Sequence, residues 1–470
     1  MKNLLLSFLI ICLSVFYTPA QNAYQKVENK KFSLGSYGRV GVDWSFENGG
    51  SIGRRLNLNN MGSIGGRMEE QDYLELAPAL QFNPAKGDST IVNVQMRFAL
   101  YSQSLSLFGN SSTSSAGGLT LAVPELFAEA RHIAGKDLNI WIGARLYRGP
   151  DIHIADHFYF NDHSGQGFGI EYKSTRFATL FISSTDTNAT VPPYFYLNIK
   201  TGTPNLALRQ RVVLVLEQDV QMCDDCSLTF LGEFHRLANA NADADTIGSP
   251  LNYPSDFGYV FGVRHTRKLP KFTEGSYNQF ALRYGGRIAN GGDGGMSRTW
   301  LTFGAPNLET GKFKSAWSFS MVDEILLNLS KLYTLNAYLI YTLSHGAAES
   351  DNLSATYFGQ EVYNRKKDFT LGTRSTFYLS RFFHLLAEVH YAARTDGTQD
   401  KASLLKFSLA PTLVPTGGKD QWARPHLRFV TSIGRYNDQA MKTLYSPYLS
   451  YVGEKRWGYY IGVKAEWWLF

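Results

Sequence analysis

Hydrophobic and polar residues alternate with a period of two along most of the chain. Phe32, Leu34, Val40, Val42, Trp44 and Phe46 share one parity, and Ser33, Tyr37, Arg39, Asp43 and Ser45 take the other. Val92, Val94, Met96, Phe98 and Leu100 alternate with Asn93, Gln95, Arg97 and Tyr101. Near the C-terminus Tyr459, Ile461, Val463, Ala465, Trp467 and Leu469 oppose Tyr460, Lys464, Glu466, Trp468 and Phe470. Successive side chains of a strand point to opposite faces, so each segment predicts a strand with one apolar face. A soluble sandwich would alternate too, and strand length and connections separate the two cases. The strands run to about ten residues, enough to cross a bilayer when tilted. Short turns (Asn83 to Ser89, Cys223 to Cys226, Thr416 to Gln421) alternate with long polar loops (Asn239 to Ser255, Ala289 to Arg298, Ser344 to Ser354). In lipid every backbone group needs an internal partner, so a span built from strands must close on itself. The pattern predicts an all-β fold, a transmembrane antiparallel β-barrel of about 18 strands, one per ~25 residues. One parity would face lipid and the other a wet lumen. No linker, low-complexity tract or longer repeat interrupts residues 21–470, which are expected to form one domain.

Composition narrows the function classes. Aromatic residues make up 14% and charged residues 18% of the 470, which is unlike a disordered chain. Three cysteines are too few for a disulfide scaffold. The net charge of +6 is spread thinly, with no run of Lys and Arg, so nucleic acid is not an expected partner. Residues Met1 to Ala20 read as a secretory signal peptide. Lys2 gives the positive start, Leu4 to Phe16 the apolar stretch, and Thr18-Pro19-Ala20 small residues before a cut at Gln21. About 13 apolar residues are too few for a membrane helix. The mature chain is therefore expected in the bacterial outer membrane, with membrane lipid around it.

The inward parity is more than polar. Tyr37 lies beside Arg39, Tyr73 beside Glu75 with Arg67 just before, and Trp468 beside Glu466. Tyr277 shares its parity with Gln279, Arg283 and Arg287. Rings of the aromatic girdles at membrane interfaces belong on the lipid parity, and these do not lie there. Rings facing a wet lumen suit a ligand with an apolar face. A pyranose offers such a face and a rim of hydroxyls for neighbouring Arg, Glu and Asp.

One stretch carries a resemblance. Ile140-Trp141-Ile142-Gly143-Ala144-Arg145-Leu146-Tyr147 continues through Asp151-Ile152-His153-Ile154-Ala155-Asp156 to Ser164-Gly165-Gln166-Gly167. It is similar to the approach to the third loop in the maltoporin family, where that loop folds into the pore and narrows it. Ser36-Tyr37-Gly38-Arg39, Trp422-Ala423-Arg424-Pro425 and the Glu466-Trp467-Trp468 ending also resemble family signatures. The resemblance implies a homotrimer of eighteen-stranded barrels that passes maltodextrin-like oligosaccharides by facilitated diffusion along a line of aromatic rings. Carried over residue by residue, that slide would contain Tyr37, Tyr73, Tyr277, Trp422 and Trp468. The polar track would include Arg39, Arg67, Glu75 and Asp156, with Arg148 and Asp151 at the constriction. Several positions depart from the family. The second loop, Ser104 to Gly118, has no Trp to offer a neighbouring subunit, and Phe108 is its aromatic candidate. Ala128 stands where a track Arg is expected. Gly149 replaces a third-loop Arg, with Arg148 beside it.

Other groupings read more plainly. His153, His157 and His163 share a loop with Asp151, Asp156 and Asp162, but their spacing is loose for a metal and suits a charged constriction better. Cys223-Asp224-Asp225-Cys226 lacks a second pair for zinc, so a small disulfide closing a turn is expected. Ser380, His384 and His390 are scattered, with no nucleophile elbow, and no cofactor motif is present. A general diffusion porin without a sugar site is the alternative. A non-conducting receptor or adhesin with a plugged lumen is a third class.

Overall fold

The computed structural model describes residues 32–44, 53–82, 89–102, 119–183, 194–198, 204–207, 210–238, 246–247, 254–291, 302–354 and 362–469. The signal-peptide segment and Phe108 lie outside these residues, as do large parts of the expected loops at 239–255 and 289–298.

Eighteen long strands form one sheet. They are β1 (Phe32–Trp44), β2 (Tyr73–Phe82), β3 (Ile91–Ser102), β4 (Leu119–Arg131), β5 (Leu138–Arg148), β6 (Asp162–Tyr172), β7 (Thr175–Ser183), β8 (Gln210–Cys223) and β9 (Cys226–Leu237). The second half comprises β10 (Asp256–Lys268), β11 (Tyr277–Arg287), β12 (Trp317–Ser330), β13 (Tyr333–His345), β14 (Arg365–Tyr378), β15 (Phe383–Asp396), β16 (Ala402–Leu413), β17 (His426–Tyr436) and β18 (Trp457–Leu469). Each pairs antiparallel with the next. The last pairs with the first, Val42 opposite Val463 and Tyr37 opposite Trp468, and this closes the barrel. Closure leaves no strand edge to satisfy, as lipid demands. Cys223 and Cys226 are disulfide-bonded across the two-residue turn between β8 and β9.

The period of two sorts side chains as expected on β1, β3 and β18. Phe32, Val42, Phe98, Tyr459 and Leu469 are exposed on the outside, while Asp43, Arg97, Lys464 and Glu466 are buried inside. The lumen, however, is not wet all round. On β8, Val213 and Val215 are fully buried although Leu214 and Leu216 face outward. Both faces are apolar there because a loop packs on the inner one. That loop, residues 149–161 between β5 and β6, holds a small hairpin pairing Asp151 with Phe158. Its Ile152, Ile154, Ala155, Tyr159 and Phe160 are buried in one cluster with Leu231, Val260, Ala281, Val322 and Ile340 of the wall.

A second segment, residues 53–72 between β1 and β2, also folds inward, which its aperiodic sequence does not announce. Leu56, Leu58, Met61 and Met68 pack against Ala392, Leu404, Ala410, Val430 and Tyr460. Asn57 donates to the carbonyls of Gly62 (3.0 Å) and Gly66 (2.9 Å), and Lys406 Nζ donates to Asn57 Oδ1 at 2.7 Å. Gly66 sits at φ +107°, and a Cβ there would lie 2.8 Å from the His390 ring, so only glycine fits. The two inward segments leave an open channel along the wall of β18, β1, β2 and β3.

Ile154 is 1% exposed under this packing. Ile154→Ala should remove about 2–5 kcal/mol of packing and loosen the 149–161 loop. The folded form should then be lost at a lower temperature on unheated gels, and an unchanged melting temperature would show the loop to be unanchored.

Candidate functional site

Strand register builds the site. Tyr37 of β1 stands opposite Trp468 of β18 and Glu75 of β2. Tyr73, the first residue of β2, stands opposite Arg39 on one side and Tyr101 of β3 on the other. Neighbouring strands thus each deliver a ring to one wall. Ring centroids are 6.3 Å apart for Tyr101 and Tyr73 and 5.7 Å for Tyr73 and Tyr37. Trp468 continues the line to Trp422, in the turn before β17, at 6.3 Å. His153 of the inward loop leans on both indoles, 5.1 Å from Trp422 and 5.9 Å from Trp468. Tyr101, Tyr73, Tyr37, Trp468 and His153 border a cavity of about 750 Å³.

Charged groups beside the rings hold one another. Glu466 accepts from the Tyr37 hydroxyl (3.1 Å) and pairs with Arg67 (3.5 Å), Arg424 (3.2 Å), His426 (2.9 Å) and Arg428. Arg67 Nη2 also donates to the Tyr37 hydroxyl at 2.7 Å, and its Nε to Glu70 at 3.1 Å. Arg39 pairs with Glu70 at 2.7 Å and lies over the Tyr73 ring at 5.1 Å. Glu75 accepts from the Tyr73 hydroxyl and from Arg97 at 2.6 Å. His153 bridges this wall to the loop: Arg67 Nη1 lies 3.1 Å from its Nδ1 and Arg424 Nη2 lies 3.2 Å from its Nε2. Burial and these two cations hold its pKa well below the ordinary histidine value, so the ring is neutral.

The facing wall presents guanidiniums laid on rings. Arg148 lies 4.7 Å over Phe158 and bonds Asp162 at 3.1 Å. Arg264 lies 5.0 Å over Phe160, and Arg145 lies between Phe127 (5.2 Å) and Trp141 (5.3 Å). Such stacking orients the fork while leaving its edges able to donate. Asp151 and Asp156 border the same cavity. Burial, then the neighbouring Asp156, pushes the Asp151 carboxyl up to about 6.

Of the residues singled out in the sequence, Tyr37, Tyr73, Trp468, Arg39, Arg67, Glu75, Arg148, Asp151 and Asp156 border this cavity. Trp422 lies one ring beyond it. Tyr277 lies elsewhere, half-buried at the short-turn end of β11, with its hydroxyl 3.4 Å from Glu324. Tyr101 and Phe158 were not singled out, and His153 was expected only as part of a charged constriction. Tyr101 shares the inward parity of its strand and was legible. Phe158 and His153 depend on how the loop folds. The three loop histidines diverge: His163 lies 3.2 Å from Glu233, while His153 serves the arginines. Among the described residues no group of three or more His, Cys, Asp or Glu could hold a metal.

The LamB porin family model matches residues 32–468. The chain belongs to that family. It is an outer-membrane porin of the sugar-diffusing kind, the maltoporins suggested by its third-loop stretch. Solved barrels also resemble it. OprD of Pseudomonas aeruginosa shares 11% identity over 96% of each chain, with a TM-score of 0.44. Wzi of Escherichia coli, described as a carbohydrate-binding β-barrel, shares 11% over 92% of this chain and 84% of its own, at 0.41. OmpF of Salmonella typhi shares 11% over 93% and 97%, also at 0.41.

For this LamB porin the site makes two predictions. Removing Glu466 takes the carboxylate from the buried Arg424 and Arg428 and leaves Arg67 paired with Glu70 alone, which is expected to cost about 3–5 kcal/mol. Glu466→Ala should therefore lower the thermal stability of the folded form far more than Glu466→Gln. Equal stability of wild type and Glu466→Ala would disprove the role of the hub. Secondly, Asp151 is charged at pH 7.5 and mostly neutral at pH 5. Lowering pH through 6 removes one negative charge from the cavity, so cation preference should fall. Reversal potentials in a KCl gradient should show this step, and Asp151→Asn should start at the low-pH value and lack the step.

Proposed function

We propose that this porin passes maltodextrin-like oligosaccharides along the aromatic wall. The observation that carries the reading is the line of rings from Tyr73 through Tyr37 and Trp468 to Trp422, set beside arginines and carboxylates that hold one another in place. A pyranose slides its apolar face over the rings while its rim exchanges hydrogen bonds with Arg39, Arg67, Glu75, Arg148, Asp151 and Asp156. Because these charges are already paired, a sugar gains modest bonds at each step and is not trapped, as conduction requires. Tyr277 serves as a further ring towards the short-turn end. Transport is passive, with no chemical step and no cofactor. The chain is exported by its N-terminal signal and assembles as a homotrimer.

Conductance in a planar bilayer, titrated with malto-oligosaccharides and then other glycans, tests the reading. Saturable block is expected. Losing one ring worth about 1 kcal/mol corresponds to about five-fold in affinity, so Trp422→Ala and Tyr73→Ala should each weaken block several-fold. Block unchanged in both variants would remove the slide. Current indifferent to every sugar in the unaltered protein would make it a general diffusion porin. Crosslinking that yields only monomers would count against the trimer.

A further inference from the structure

We propose that Tyr101 forms an outer subsite of the channel, where the leading pyranose of a long oligosaccharide docks before the chain reaches Tyr73. This rests on the sugar-path reading above and extends it by one ring.

Position comes first. Tyr101 is the next-to-last residue of β3 and Tyr73 the first of β2, directly opposite it. Both stand at the barrel end from which the long 53–72 and 103–118 connections leave. Among the described residues Tyr101 therefore ends the line of rings on that side, beside Tyr73. Its plane lies within 26° of the Tyr73 plane, the smallest tilt along the line, against 51° for Tyr37 and Tyr73 and 42° for the two indoles. Two near-parallel faces at a mouth offer one sugar chain a continuous surface before it tilts further in.

Surroundings come second. The other long inward side chains of β3 are polar: Asn93 and Arg97 are buried, and Arg97 is bound between Glu75 and Glu125. Tyr101 is half-buried and borders the cavity. A girdle tyrosine would point to lipid, where Phe98 of the same strand points instead. Phe127 of the neighbouring strand β4 and the Arg145 guanidinium stacked on it border the same cavity. A sugar on Tyr101 therefore has a ring beneath it and the Arg145 donor within the same cavity. All these groups come from one chain.

The chemistry fixes the ligand class and the readout. A neutral oligosaccharide repeats the same apolar face at every pyranose, so an added ring adds affinity only to a chain long enough to reach it. A disaccharide can sit wholly on the inner rings. Tyr101 should thus discriminate by chain length and speed the capture of long chains.

Single-channel block by maltose and by maltohexaose should be compared for wild type, Tyr101→Phe, Tyr101→Leu and Tyr101→Ala, with open-channel conductance as the check on folding. In Tyr101→Ala and Tyr101→Leu the maltohexaose association rate and affinity should fall about three- to ten-fold while maltose block stays as in wild type, and Tyr101→Phe should behave as wild type. Equal maltohexaose block in all four proteins overturns the subsite. Equal loss for both sugars also overturns it, since that pattern belongs to a residue that only shapes the barrel. Absence of block in wild type fails the sugar-path reading itself, and is distinguishable because it appears before any substitution is made.

Discussion

The channel depends on one buried carboxylate. Glu466 is 3% exposed, yet it gathers five groups from four separate parts of the chain: Tyr37 of β1, Arg67 of the first inward segment, Arg424 of the turn before β17, and His426 and Arg428 of β17. Isolated, such a charge would be strongly disfavoured in a low-dielectric wall. Surrounded by three guanidiniums and two further donors, it becomes the point through which strands, turn and inward loops are registered to one another. Through Arg67 and Arg424 the hub reaches His153, so the pore loop is fastened to the wall that carries the rings. A second carboxylate, Glu233, lies within 3.2 Å of His163 and 2.8 Å of Arg283 and secures the other end of the loop in the same way. Buried ion pairs are poor sources of net stability but good sources of specificity, because few other arrangements satisfy every partner. A pore whose width is set by a folded-in loop needs that specificity.

The same pairing suits a transport site. A guanidinium free of partners would grip a hydroxylated ligand strongly and release it slowly. Arg39, shared among Glu70, the Gln71 carbonyl and Tyr37, has much of its donor capacity spent before a sugar arrives. The exchange of one partner for another is then close to neutral at each step, which favours movement along the path.

The barrel was legible in the sequence because lipid leaves no freedom. On β1, β3 and β18 the outward residues must be apolar and the closure must be complete, so the parity of Phe32, Phe98 or Val463 reports their faces directly. Legibility fails where the lumen is filled. Val213 and Val215 obey no alternation with Leu214 and Leu216, since the inner face there meets Ile154 and Phe160 in place of water. Residues 53–72 carry no period at all, and their place in the lumen follows from glycine geometry and from partners such as Lys406 and Tyr338, hundreds of residues away. The site divides along the same line. Tyr37, Tyr73, Tyr101 and Trp468 lie on strands, and parity assigns them to the lumen. His153, Phe158 and Arg67 lie on loops, where no periodicity assigns a direction. Tyr277 illustrates the converse limit: parity places it inside, but its depth at the short-turn end of β11 keeps it out of the cavity that the other rings border.

Depth also explains why the rings form a line. In a closed barrel neighbouring strands are tilted and staggered, so residues paired across strands climb the wall obliquely. Tyr101 opposite Tyr73, Glu75 opposite Tyr37, and Tyr37 opposite Trp468 are consecutive steps of that stagger. A single inward aromatic on each of four adjacent strands is therefore enough to build an oblique ladder, with no irregular backbone required. The facing wall cannot be built that way, because a loop covers it. There the sequence uses arginines stacked on rings, Arg148 on Phe158 and Arg264 on Phe160, so that a long flexible side chain gains a fixed direction from its neighbour. Barrel stagger thus makes the apolar track, and cation–ring stacking makes the polar one opposite it.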